Sequence, residues 1–85
     1  MFDEELVTGA MEAMRQGEFT PVEVFEAVKT EYLRIDKKQR LPMIVAVRNY
    51  PAPEGSDAFS WLRKKNTVAD SLIKLADEQE PTKTS

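Results

Sequence analysis

The residues that could carry chemistry in this chain are few, and most of them are carboxylates. Histidine and cysteine are both absent. The usual general base near neutral pH, the Ser-His-Asp relay, thiolate nucleophiles and almost every zinc or haem site therefore have nothing to build on. Without cysteine there are no disulfides, and the redox compartment stays open. Ser71-Leu72-Ile73-Lys74 has the Ser-x-x-Lys spacing of serine acyl-enzymes. Both residues fall on the polar side of a helix, no oxyanion-hole loop is visible, and the chain is too short for that fold. Glu23 with Glu26, and Asp77, Glu78 and Glu80, are near neighbours in sequence, but nothing opposes either set across a pocket. Acids on a solvated helix face need no catalytic explanation. Gly9, Gly17 and Gly55 are too scattered for a phosphate loop. The expectation is a non-catalytic protein with no cofactor and no metal.

Charge is the more informative pattern. The net charge is −3, but the signs are segregated along the chain. Residues 1–31 hold eight acids against Arg15 and Lys29. Residues 32–66 hold eight bases against Asp36, Glu54 and Asp57. The remainder returns to a mild acidic excess. If the Lys37 to Arg40 turn met the Arg63 to Lys65 turn across the Pro51 and Pro53 loop, they would form a basic patch able to contact phosphates. Lys37, Lys38, Arg40 and Arg48 are the candidate phosphate contacts, and Tyr50, Phe59 and Trp61 could stack on a base. Against this, the sequence pI is near 4.9, so the long-range field resists nucleic acid. Pairing of the basic middle with the acidic helices, within one molecule or between copies, uses the same residues.

The elements that must position these side chains are helical. Thr20-Pro21-Val22-Glu23 reads as a capping box with proline in the first helical position. Behind it Val24, Phe25, Val28, Tyr32 and Ile35 recur at three- and four-residue steps, so one side of this helix needs cover. Phe2, Leu6, Ala10 and Met14, with Val7 and Met11 beside them, give a first amphipathic helix capped by Asp3 and stopped by Gly17. Phe19, just before the cap, could staple onto Phe25 or its neighbours. The exposed start of the second helix carries Glu23, Glu26 and Glu31, the wrong sign for a recognition helix lying on DNA. A helical hairpin accounts for the same residues.

Met14-Arg15-Gln16-Gly17-Glu18-Phe19-Thr20-Pro21-Val22-Glu23-Val24 resembles the helical N-terminal segment of amidase-signature enzymes. The likeness covers a small part of the chain and contains none of that family's catalytic Ser-Ser-Lys or Gly/Ser-rich motif. It implies two helices joined by a capped turn, and no amidase activity.

Beyond Lys37-Lys38-Gln39-Arg40, whose charges suit the negative end of the second helix, Met43-Ile44-Val45-Ala46-Val47 is the most apolar run. Period alone cannot separate a buried short helix from a buried strand. A strand would need a partner that no other segment supplies, unless two chains pair here, so a helix opened by Pro42 is expected. After the proline-containing loop, Trp61, Leu62, Ala69, Leu72, Ile73 and Ala76 form a stripe in which Lys65 is foreign, its stem on apolar surface and its head in water. A break at Asn66-Thr67 is the alternative.

The expectation is an all-α bundle of four helices over Asp3–Gln16, Pro21–Lys38, Pro42–Tyr50 and Asp57–Gln79. Residues 1–80 form one domain and 81–85 a flexible tail. A chain of this length buries only about 60 to 65% of its unfolded surface and is stable by a narrow margin, so self-association is open to it. No run approaches a membrane span and the acidic first residues are unlike a secretory signal, which makes the cytoplasm the expected address. The expected role is binding another protein or a second copy. Met43, Val47, Tyr50, Phe59 and Trp61 are the candidate contacts because they overfill a small core, with Arg63, Lys64 and Lys65 at their rim. An accessory nucleic-acid-binding role is the alternative.

Overall fold

Short-range hydrogen bonds fix three of the four ends of the N-terminal helical hairpin. In the computed structural model, which describes residues 2–55 and 57–79, the Asp3 carboxylate accepts from the Glu5 and Leu6 amides and opens α1 (Glu4–Arg15). Gly17 ends that helix with φ 84°. Its amide donates to the Met14 carbonyl, and the Glu18 amide donates to the Ala13 carbonyl at 2.8 Å. This is a Schellman turn, and glycine adopts its left-handed backbone without a steric penalty. Thr20 then caps α2 (Pro21–Arg34), with the Glu23 amide donating to Thr20 Oγ1 and the Thr20 amide donating to Glu23 Oε1. The segment Met14 to Val24 is thus two helices joined by a capped turn.

The next boundary differs from expectation. Helix α2 stops at Arg34 and not at Lys38, because Ile35 and Asp36 are extended, with ψ of 163° and 150°. Ile35 buries its side chain there, and Asp36 becomes the residue before α3 (Lys37–Arg48). Lys37, Lys38 and Arg40 therefore lie at the positive end of α3, where the helix dipole opposes them, and not at the negative end of α2. Pro42 lies inside α3 and does not open it. It has no amide to offer the Lys38 carbonyl, which costs the helix one internal hydrogen bond. The apolar run Met43 to Val47 is helical, and no strand occurs among the described residues.

The last helix, α4 (Ala58–Gln79), runs without a break through Asn66 and Thr67. Thr67 Oγ1 donates to the Arg63 carbonyl one turn back and does not cap a second piece. Around the bundle the neighbours follow the order α1, α2, α4, α3, with α3 closing back on α1. Val7, Met11 and Met14 from α1, Val24 and Val28 from α2, Met43 and Val47 from α3, and Val68 and Leu72 from α4 meet in one core. Each such fully buried side chain contributes about 1.5–3 kcal/mol, and this common seam holds the four helices together. Leu62 and Ile73, expected in the α4 stripe, are exposed instead. No described helix is long and apolar enough to cross a membrane. The expected tail, 81–85, lies outside the described residues.

Candidate functional site

Tyr50 follows the end of α3 and ties three helices together. Its hydroxyl donates to Glu12 Oε1 on α1 at 2.8 Å. Its carbonyl accepts from Trp61 Nε1 at 2.9 Å and from Lys65 Nζ at 3.3 Å, both on α4. Lys65 is half-buried, and its ammonium is bonded to the protein where open water was expected. Glu12 also accepts from Gln16 and Arg15. Led by the Tyr50 hydroxyl and then by Gln16, these donors hold the Glu12 carboxyl below the ordinary range. Loss of solvent, reinforced by Glu12, pushes the Tyr50 phenol up.

A second junction was not legible as such in the sequence. Glu31, expected among the exposed acids of the second helix, is buried on α2 instead, and accepts from Arg34 at both carboxylate oxygens, 2.9 and 2.7 Å, and from the Asp3 amide at 2.7 Å. The two-pronged bond from Arg34, followed by the Asp3 N–H, holds its carboxyl low. The available signal was its place between Val28 and Tyr32 on the apolar side, with Arg34 three residues on. Both carboxylates are already committed to several donors. Among the described residues no group of acids is arranged to hold a metal.

Several of the expected contact residues are not surface residues. Met43 and Val47 are fully buried, and Trp61 is only 4% exposed. They overfill nothing, because the four-helix core receives them. Tyr50 is half-buried in its junction, and Phe59 alone of the five stands out, 69% exposed. Arg63, Lys64 and Lys65 do not form one rim either. Successive residues on a helix turn by about 100°, so Lys65 reaches inward to Tyr50 while Arg63 and Lys64 stay in solvent on diverging sides.

The two basic turns do not meet. Arg40 Nε donates to the Tyr32 carbonyl at 2.9 Å, with its guanidinium 5.3 Å from the centre of the Tyr32 ring, which fastens it to the end of α2. Lys65 sits at the Tyr50 carbonyl, ten residues further along the chain. Arg40 to Arg48 alone spans eight residues of α3, roughly 12 Å at 1.5 Å per residue. Arg48 is spent on Asp70 at 3.1 Å. Lys37 and Lys38 are exposed in the first turn of α3.

Neither a protein-family model, nor a curated protein, nor a solved structure matches this chain.

Large apolar side chains are also exposed on α3 and α4. The two helices run antiparallel, since Tyr50 meets Trp61 and Lys65 while Arg48, two residues earlier, meets Asp70 further along α4. Leu41 and Val45 precede Arg48 on the same stripe of α3, at 69% and 45% exposure. Phe59, Leu62 and Ile73 are exposed on α4. The Arg48 to Asp70 pair bridges the two stripes. Both partners are largely solvated, so the pair is worth at most about 1 kcal/mol and serves here as a marker of register. Five of the seven large apolar residues exposed in the described chain lie on these two helices; the others, Phe19 and Val22, flank the cap of α2. Phe19 borders a shallow groove with Leu6, Ala10, Ala13 and Ala27.

Proposed function

We propose that this protein is a small non-catalytic assembly domain that pairs with a second copy of itself through the outer face of α3 and α4. The observation that carries this reading is the concentration of Leu41, Val45, Phe59, Leu62 and Ile73 on that face. Apolar side chains gathered on one side, with polar residues around them, are the usual mark of an interaction surface. The same face carries both signs of charge, Arg48, Arg63 and Lys74 against Asp70 and Asp77. Such a mixture suits a second copy, because a two-fold axis sets each patch against itself and can place cations of one copy opposite anions of the other. A partner of uniform charge would meet repulsion from two or three of these five groups.

Nucleic-acid binding draws less support. Arg40 and Arg48 are already engaged, the two basic turns stand a helix apart, and the overall charge is negative. Light scattering of the wild type and Leu62→Asp over a concentration series tests the proposal. The wild type is expected to approach twice the 9.7 kDa chain mass, and L62D to stay at one chain while keeping its helical signal. A wild type that remains at one chain mass throughout overturns the reading.

A further inference from the structure

The groove that Phe19 borders lies between α1 and α2 and has a volume of about 360 Å³. Leu6, Gly9, Ala10, Ala13, Phe19 and Ala27 make its apolar walls, and Glu5 is the charged residue that lines it. Gly9 has no structural role within the chain. A glycine inside a helix costs stability relative to alanine. A Cβ at Gly9 would meet nothing within 4 Å beyond its own stretch of helix, so packing does not require the glycine. The charge around the groove is one-sided. The three cations of the hairpin are each paired on their own helix, Arg15 with Glu12, Lys29 with Glu26 and Arg34 with Glu31. Glu5, Glu18 beside Phe19, and Glu23 one turn before Ala27 are exposed and make no ion pair among the described residues.

We propose that this groove docks a basic amphipathic helix of another protein. Its walls offer an incoming segment almost no hydrogen-bonding partner, so the segment must satisfy its own backbone, as a helix does. Leu6 to Ala13 spans about 10 Å of α1, the rise between positions i and i+7 of a helix. That length sets the incoming apolar anchors at i, i+4 and i+7. Around those anchors Glu5, Glu18 and Glu23 call for lysine or arginine. Gly9 lets the two backbones approach closely, which gives the glycine its use. The same negative field turns away nucleic acid and anionic lipid. A second copy presenting this face would set acids against acids. The groove shares no residue with the α3/α4 face, so the two surfaces can be occupied together.

Fluorescence anisotropy of labelled peptides, titrated with the full chain, tests the proposal. One peptide is built of lysine and alanine with leucines at i, i+4 and i+7. A second has the same residues in an order that scatters the leucines around the helix, and a third carries glutamate for every lysine. The first is expected to bind in the micromolar range, the second about tenfold or more weakly, and the third not at all. Gly9→Leu should weaken binding of the first peptide about tenfold or more. The same variant should melt higher than the wild type, because its Cβ enters open space and leucine is the better helix former, so the loss is not one of folding. Glu5→Gln should weaken binding about two- to fivefold, the effect of one exposed charge. Leu62→Asp should bind as the wild type does, which keeps this test independent of pairing through α3 and α4. The proposal is overturned if the first peptide does not bind, if the scattered or acidic peptide binds equally, or if G9L binds unchanged. Self-association that survives L62D and is lost in G9L overturns it as well, because a second copy is then the occupant.

Discussion

The α1–α2 hairpin and the α3–α4 pair reach stability by different routes. In the hairpin, Asp3, Thr20 and Gly17 settle the helix ends by local hydrogen bonds, and the buried Glu31 is matched by Arg34 and the Asp3 amide. In the second pair, Asp36 makes no side-chain cap, Lys37 and Lys38 oppose the dipole, and Pro42 interrupts the hydrogen-bond ladder. Helix α3 persists because Met43, Ile44 and Val47 are buried against the rest of the bundle. The half whose helix ends are capped locally leaves two large apolar side chains in solvent, Phe19 and Val22, whereas the half held by tertiary packing leaves five.

The largest effect expected from breaking this contrast is at Met43. Met43→Ala removes a fully buried side chain and should cost about 2–5 kcal/mol in denaturant unfolding. Amides of α3 should lose exchange protection before those of α2, and equal protection in both helices would dissolve the distinction drawn here. Acid should act next, and on the hairpin. Glu31 and Glu12 both have depressed carboxyl pKa values in the fold, from the Arg34 and Tyr50 hydrogen bonds respectively. Their contribution is present above the ordinary glutamate range and is lost as pH falls through the folded values, below about pH 4. Unfolding midpoints measured from pH 6 to pH 2 should fall in that window, and more shallowly in Glu31→Gln.

Two smaller effects sharpen the contrast. Thr20→Ala should cost about 1 kcal/mol, since the Glu23 amide loses its acceptor. Lys38→Glu should do the opposite and stabilise by about 0.3–1 kcal/mol, because an acid in the first turn of α3 complements the dipole that the native lysine opposes. Thermal melts of the two variants read both signs. A destabilised K38E would mean that the start of α3 is held by Lys38 itself.

The same division explains what could be read in advance. The cap at Thr20, the stop at Gly17 and the apolar faces of α1 and α2 are written in residues within four positions of one another. The end of α2 was misplaced because Lys37 and Lys38 suit a helix terminus, and only packing of Ile35 shows that the chain has already turned. Pro42 is a strong local signal that tertiary burial overrode. Spacing identified Met43, Val47 and Trp61 as residues needing cover, but nothing in their spacing says whether the cover is the same chain or another. Adjacency made Arg63, Lys64 and Lys65 look like one patch, although a helix sends them in three directions. The groove beside Phe19 has no sequence signature, since it depends on how α1 and α2 pack.

The association proposed for the α3/α4 face is most directly tested by sedimentation equilibrium of the full chain at rising concentration. The predicted result is a reversible shift from one chain mass to two for the wild type, abolished by Leu62→Asp. A single chain mass at every concentration, or a dimer unaffected by that substitution, would contradict it.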